Sequence, residues 1–170
     1  MNPEERAEDL LRRHRIDDLP VPVDAIAAAE GATVVRRRFE GDTSGFMYAE
    51  ADRTVIGINA ATSRRRQRFT VAHEIGHMAL HRDENKLRVD SVIQFRDPLS
   101  ALGTDPQERD ANAFAVALLM PAKVVADQVR AALKNNVTDR DVLISSLATT
   151  FDVSTEAMGY RLINLGVLRG

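Results

Sequence analysis

Apolar and polar residues recur along this chain with two different periods, which predict helices at both ends and strands between them. The run Asn2-Pro3-Glu4-Glu5 has a capping residue, a proline and two acids where helices begin, so a helix is predicted to reach about His14. A second helix is predicted over 23–30, ending at Gly31. Stretches rich in Val, Ile and Thr predict three strands, over 32–39, 44–48 and 54–59.

Helical periodicity returns after the predicted strands. Ser63 can cap a helix over 64–82, and Thr104 begins a capping box for a helix over 104–120. The stretch between these two helices is the least regular, with a strand-like pattern only over 87–95. The elements together predict an α+β fold with a small three-stranded antiparallel or mixed sheet.

The chain after Pro121 is predicted to be helical and to form a second domain, residues 122–170, after a first domain of residues 1–121. The turn over 151–154 separates two helices in the manner of a helix-turn-helix motif. The second of these helices carries few basic residues, Arg161 and Arg169, whereas a helix that reads DNA usually has more positive charge for phosphates. Packing or partner docking is therefore favoured over direct DNA binding. The three predicted helices cover 121–134, 138–150 and 155–165, and Thr138 and Asp141 form a loose capping box for the second.

Composition narrows the classes of function. The chain has 170 residues, of which 44% are hydrophobic, enough for one domain and a small appendage with a real core. A formal net charge of −2 gives no global attraction to nucleic acid. Without cysteines, a zinc site would need histidine and carboxylate ligands. The N-terminus has no apolar signal region and the longest apolar run, 113–120, is too short to span a bilayer, so a cytoplasmic protein without membrane contact is expected.

His73, Glu74 and His77 form an H-E-x-x-H motif inside the helix predicted over 64–82. Residues four apart share one helix face, so the two imidazoles can bind one metal ion. Glu74 lies about 100° around the helix from His73, beside the ion and within reach of a bound water. Two histidines leave room for a third protein ligand and an open position, as in catalytic zinc sites. A solvated helix with scattered histidines does not explain why three of the four lie between positions 73 and 81.

The third ligand is expected on the next long helix, whose body is otherwise apolar. Glu108 and Asp110 lie about 200° apart on such a helix, so only one of them can face the metal. Glu108 is favoured because Asn112 shares its face and can accept the free N–H of a ligand histidine, which fixes the tautomer. His81 is rotated about 80° from His73, which suits a supporting role better than a place in the tetrahedron.

This ligand set predicts hydrolysis of an amide bond. Zinc lowers the pKa of bound water from about 15.7 toward 7. Glu74 would take up the proton and deliver it to the leaving amine, while zinc polarises the scissile carbonyl. A further oxyanion donor is not identifiable, since Tyr48, Tyr160 and His81 are all candidates. The predicted strands over 44–48 and 54–59 could offer an edge to an extended peptide substrate.

Positive charge is concentrated where the predicted motif helix begins. Such charge opposes the helix dipole at an N-terminus. We therefore expect these side chains to pair with acids elsewhere in the fold or with an acidic partner. The residues concerned are Arg64, Arg65, Arg66 and Arg68.

Two long stretches, in a fixed order, carry a family resemblance. They are RFTVAHEIGH at 68–77 and ERDANAFAVALLMP at 108–121, accompanied by SGF at 44–46 and IGIN at 56–59. Together they resemble the signatures of the ImmA/IrrE family of zinc metallopeptidases, closely over 33–121 and loosely elsewhere. The resemblance implies a thermolysin-like, or zincin-like, core in which the sheet packs on the two ligand helices. It also implies one zinc ion per chain on His73, His77 and Glu108, with Glu74 as the catalytic base.

Members of that family cleave, or promote removal of, helix-turn-helix repressors, and so switch on stress-response or mobile-element genes. The resemblance thus implies a zinc-dependent endopeptidase whose protein partner is such a repressor. The alternative is a zinc-stabilised regulator or toxin–antitoxin component that binds a repressor or DNA without cleaving anything. Glu74 favours the enzyme, because a scaffold needs the histidines but not the base.

Overall fold

The computed structural model describes residues 2–41, 43–50, 53–81, 87–91 and 105–169. Helices flank a single sheet, which confirms the α+β class. The elements are α1 (Pro3–His14), α2 (Val23–Ala29), β1 (Ala32–Arg37), β2 (Thr43–Glu50), β3 (Arg53–Asn59), α3 (Arg64–Leu80), β4 (Leu87–Ser91), α4 (Pro106–Leu119), α5 (Ala122–Lys134), α6 (Arg140–Phe151) and α7 (Thr155–Asn164).

The sheet has the strand order β1-β3-β2-β4 and is mixed, as the sequence allowed. β1 runs parallel to β3, whereas β2 pairs antiparallel with both β3 and β4. β4 is a fourth strand beyond the three predicted, and it occupies the beginning of the strand-like stretch 87–95, the rest of which lies outside the described residues. The expectation that β2 and β3 offer an edge to a substrate is wrong, because both are interior strands, and among the described residues the edges of the sheet are β1 and β4.

Two glycines allow close packing in and against the sheet. A Cβ on Gly57 would lie 2.2 Å from the ring of Phe46, its cross-strand partner in β2. A Cβ on Gly45 would lie 2.6 Å from Cγ2 of Thr70, so β2 approaches α3 at this point. Gly45 of the SGF stretch thus allows the close approach of sheet and helix, and Gly57 of the IGIN stretch makes room for the Phe46 ring within the sheet.

The helix starts follow local capping chemistry. Ser63 accepts a hydrogen bond from Arg66 N and caps α3, as predicted. The cap of α4 is Asp105, whose side chain accepts from Gln107 N, and the cap of α6 is Asp139. The predicted capping boxes at Thr104 and Thr138 are therefore wrong by one residue, since the aspartate that follows each threonine supplies the acceptor.

Residues from all parts of the chain contribute to one buried cluster. The C-terminal helices add Val125, Leu147, Phe151, Met158 and Leu162 to the same cluster that holds the buried residues of α1, α3 and α4. The division into residues 1–121 and 122–170 stays a prediction. Within the described residues, no single helix is long and apolar enough to cross a membrane; α4 and α5 together reach that length, but they meet at a bend of 42°.

Candidate metal centre

Three side chains of α3 and α4 converge on one point. His73 Nε2 and His77 Nε2 are 3.0 Å apart. The two carboxylate oxygens of Glu108 each lie 3.2 Å from one of these nitrogens. Both histidines are wholly buried, and Glu108 reaches them from the first turn of α4 with its side chain 35% exposed. This group of donors is able to hold a metal ion.

The donor separations test whether a metal fits. A tetrahedral site with metal–ligand bonds of about 2.0–2.1 Å has ligand–ligand edges of about 3.3 Å. The observed separations of 3.0 and 3.2 Å are close to that edge. Two imidazoles and a carboxylate are also the donor set of many hydrolytic metal sites. The residues present therefore fit a divalent cation, with one coordination position left for another ligand.

Gly76 makes the approach of α3 and α4 possible. A Cβ at this position would lie 3.1 Å from Ala111 Cα, Ala111 O and Phe114 Cδ1. Glycine inside a helix destabilises it by about 1 kcal/mol relative to alanine. Here it lets the backbones of the two helices meet next to His77, which brings Glu108 over both imidazoles.

Asn112 fixes the orientation of one imidazole. Its Oδ1 lies 3.0 Å from His73 Nδ1, so Nδ1 is the nitrogen that carries the hydrogen and donates it. The other ring nitrogen of His73, Nε2, faces Glu108 and is the one placed to bind a metal ion. The sequence indicated an amide contact to a ligand histidine from the spacing of Glu108 and Asn112, but could not say which histidine receives it.

Two carboxylates at this centre have different surroundings. Glu74 is wholly buried on α3, immediately after His73. A carboxylate removed from water is costly unless its surroundings compensate, so this placement indicates a specific role. The pKa of the Glu108 carboxyl is held well below its ordinary value by hydrogen bonds to His73 and His77, although burial acts in the opposite direction. Glu108 is thus ionised, as a metal ligand must be.

The remaining candidates lie outside the donor cluster. His81 is at the end of α3, with its Nε2 4.0 Å from Asp110 Oδ2 and its ring 6.0 Å from that of His77. The structure thus brings Asp110 toward His81, and Glu108 to the cluster. Tyr48 is 40% exposed and donates its hydroxyl to Glu50 Oε2 at 3.2 Å, and the nearby carboxylate raises the pKa of Tyr48. Tyr160 is half-buried on α7.

The arginines at the start of α3 find partners within the protein, as expected. Arg64, Arg65 and Arg68 all approach the carboxylate of Asp152, which follows α6. Arg66 donates to the hydroxyl of Ser44. Burial lowers the pKa of Arg68, and Asp152 partly offsets that effect. Nothing local in the sequence singled out Asp152, because the pairing joins residues more than eighty positions apart.

Comparison with known proteins agrees with this geometry. Residues 27–163 match the family described as IrrE N-terminal-like domain, peptidase family M78. One similar protein is the radiation response metalloprotease IrrE of Deinococcus radiodurans, which is 34% identical over 90 residues. That alignment covers 47% of this chain and 23% of the relative, so the chain matches about a quarter of the relative's length. Since the family match extends over most of the sequence, the chain belongs to the IrrE N-terminal-like family of metallopeptidases, as its two signature stretches predicted.

Proposed function

We propose that this protein is a zinc-dependent endopeptidase that cleaves a regulatory protein, a helix-turn-helix repressor, and so derepresses stress-response or mobile-element genes. The observation that carries the proposal is the convergence of His73, His77 and Glu108 beside the wholly buried Glu74. Membership of a peptidase family supports hydrolysis. The similarity to a protein named as a radiation response metalloprotease supports a role in the response to stress.

Each residue of the centre has a distinct task in this proposal. His73, His77 and Glu108 would hold zinc, and the contact of Asn112 with Nδ1 of His73 leaves Nε2 as the nitrogen that would bind the ion. When bound, zinc supplies a Lewis acid that polarises the scissile carbonyl and makes water more acidic. Glu74 accepts the proton of the attacking water and delivers it to the nitrogen of the leaving amine. Burial of Glu74 and both histidines keeps bulk water from screening these interactions.

A peptide substrate would bind in extended form. An extended peptide can add to a sheet edge through main-chain hydrogen bonds, while its side chains supply specificity. β4 is an edge of the described sheet and pairs with β2, which packs against α3. β4 therefore lies next to one of the two strands that contact the motif helix, and it replaces β2 and β3 as the proposed docking edge.

The alternative is a zinc-stabilised regulator that binds a repressor or DNA without cleaving it. The observation in its favour is the pair α6 and α7, joined by the short turn 152–154, which has the outline of a helix-turn-helix. Much of α7 is buried in the protein, including Ala157, Met158 and Leu162. That burial supports packing over DNA contact for this helix.

Glu74→Gln distinguishes the enzyme from the scaffold. Glutamine has nearly the same shape but cannot accept the proton, so we expect zinc content to be kept and hydrolysis of the repressor to fall by about 10²–10⁴-fold. Cleavage is measured with purified repressor, and derepression with a reporter gene in cells. A variant that holds zinc and still derepresses the reporter as well as the parent would establish the scaffold instead.

Glu108→Ala and Asp110→Ala test the assignment of the third ligand. Glu108 lies over both imidazoles, whereas Asp110 approaches His81. Loss of a residue that hydrogen-bonds to a metal ligand typically weakens metal binding 10–100-fold. We expect only Glu108→Ala to weaken zinc binding by more than that. Affinity is measured by competition with a chromogenic chelator. A larger loss in Asp110→Ala would exclude Glu108 as the ligand.

A further inference from the structure

Both helices that carry the candidate ligands are joined to the C-terminal hairpin, defined as α6, α7 and the turn 152–154 between them. The N-terminal half of α3 contacts the hairpin through Asp152. The C-terminal end of α4 contacts it through Arg161. Each contact includes an arginine that is almost fully buried, either Arg68 or Arg161.

The first contact places one carboxylate among three guanidinium groups. Asp152 Oδ2 lies 2.9 Å from Arg64 Nε and 3.4 Å from Arg68 Nε, and Oδ1 lies 3.5 Å from Arg65 Nε. Arg68 also donates Nη2 to Val21 O at 3.0 Å. A buried guanidinium without an anionic partner is strongly unfavourable, so Asp152 fixes where the first turns of α3 can lie.

The second contact completes the end of α4. Arg161 donates Nε to Met120 O at 3.0 Å and Nη2 to Glu4 Oε1 at 2.6 Å. Met120 is the C-cap of α4, where carbonyl groups lack donors within the helix and a cation is favoured. Glu4 belongs to α1. One buried side chain thus links three helices at the end of α4 opposite Glu108.

A tilt of α4 would convert a displacement of Met120 into a displacement of Glu108. α4 meets α3 at Ala111, three residues from Glu108 and nine residues from Met120. At a rise of about 1.5 Å per residue, the two arms measure about 4.5 and 13.5 Å. If α4 tilts about Ala111, a shift of about 1 Å at Met120 moves Glu108 by about 0.3 Å. This shift exceeds the range of about 0.2 Å within which metal–ligand distances of well-formed sites agree with their standard values.

We propose that Asp152 and Arg161 are positioning residues for the metal centre, through which the C-terminal hairpin holds α3 and α4 at the spacing that metal binding requires. The proposal rests on the metal site of the proposed function. The hairpin would help to form the metal site, whether or not it also binds a partner.

Asp152→Asn tests the first contact. Asp152 has a left-handed backbone, with φ of 51°, and asparagine tolerates that conformation well, so the substitution removes the charge without straining the turn. Asp141→Asn is the matched control, because it makes the same chemical change at an exposed site on the same helix. Cobalt(II) is the probe, since its visible spectrum reports coordination geometry. Binding is measured well below the unfolding temperature of each metal-free variant, so that instability alone leaves the affinity of the folded protein unchanged.

We expect Asp152→Asn to raise the Kd for cobalt about tenfold, the low end of the range for residues that support metal ligands, and to alter its spectrum. Asp141→Asn should match the parent in both. Arg161→Lys, which keeps the charge but cannot bridge Met120 O and Glu4 as a fork, should also weaken binding. Parent-like affinity and spectrum in both Asp152→Asn and Arg161→Lys would overturn the proposal.

Hydrogen exchange of the parent supplies a test that needs no variant. Coupling is reciprocal, so if the hairpin supports metal binding, metal must also stabilise the hairpin. Cobalt or zinc should slow amide exchange in α6 and α7 as well as in α3 and α4. Protection confined to α3 and α4 would contradict the positioning role. Failure of the parent to bind either metal would instead reject the proposed function, which keeps the two conclusions separate.

Discussion

The first helix, α1, and the motif helix, α3, differ in how much of their surface is buried and in the charges at their ends. α1 buries one stripe, consisting of Ala7, Leu10 and Leu11, and its other residues are half-buried or exposed. α3 is buried at every position from Arg68 to His77, including two histidines and a glutamate. α1 has acids in its first turn and basic residues in its last, whereas α3 begins with arginines and has no acid there. The first arrangement suits the helix dipole and the second opposes it.

This difference shows what each helix depends on. α1 is supported by its own sequence, through a capping box in which Asn2 and Glu5 exchange hydrogen bonds. α3 has a single side-chain cap, Ser63, and relies on Asp152 to neutralise its arginines. Substitutions in α3 should therefore disturb the candidate metal centre, whereas substitutions in α1 at positions other than Glu4, the partner of Arg161, should affect only stability, and by less.

The largest contrast is expected between two histidines. His77→Ala removes one of the three proposed zinc ligands, so zinc binding should fall by well over the 10–100-fold seen for supporting residues. His14→Ala, at the end of α1, removes only a partly exposed contact with Glu30. It should leave metal affinity unchanged and reduce stability by less than about 1 kcal/mol. Metal analysis after zinc loading and urea denaturation give both quantities. Equal loss of zinc in His77→Ala and His14→Ala would show that metal binding does not depend more on α3 than on α1.

A smaller contrast concerns two helical glycines. In Gly76→Ala the helix gains about 1 kcal/mol of propensity, but the new methyl group overpacks against α4 at a cost of about 1–3 kcal/mol. We expect a net loss of up to about 2 kcal/mol, together with weaker zinc binding as Glu108 is displaced. In Gly159→Ala of α7 the new methyl group meets Ile144 Cδ1 at 3.8 Å, an ordinary contact and the only one within 4 Å among the described residues, so this substitution should stabilise the protein by about 1 kcal/mol.

Thermal and urea unfolding of the two glycine variants, with zinc titration of each, check this contrast. A Gly76→Ala variant with parental zinc affinity would show that α4 can move aside without displacing Glu108.

The smallest effect is expected at the start of α1. Asn2→Ala removes the acceptor for Glu5 N, which lies 2.8 Å from Asn2 Oδ1, and should reduce stability by about 1 kcal/mol. Zinc affinity should not change, because the cap contacts no residue of the metal centre. Chelator competition and urea denaturation on the same samples separate the two outcomes. A change in affinity here would mean that even the local stability of α1 is coupled to the site.

Local chemistry explains why much of this fold could be predicted. The cap and end charges of α1 are adjacent in sequence, so the helix was predicted to its last residue. The spacing of His73 and His77 fixes them on one face of α3 whatever lies around them. Glu108 and Asn112 likewise share a face of α4, which was enough to select Glu108 as the expected ligand and to anticipate an amide contact.

Features that depend on distant residues could not be predicted in the same way. The order of the sheet follows from β1 pairing parallel with β3, which no turn sequence specifies. β2 was expected at an edge because its partner β4 lies far along the chain, after α3. The caps at Asp105 and Asp139 were missed because each aspartate follows a threonine that is also a good cap. Asp152 and Arg161 carry no local signal for the buried contacts they make.

The contact between Arg161 and Glu4 has a consequence for the order of folding. Its two residues are 157 positions apart, so it closes a loop that includes nearly every element of the protein. Loop closure of this size cannot occur on the ribosome until α7 has emerged, and its entropic penalty is met only once the elements between are packed. The last carbonyl of α4 gains its arginine donor at the same moment. The C-terminal end of α4, the helix that carries Glu108, is therefore completed late in the synthesis and folding of the chain.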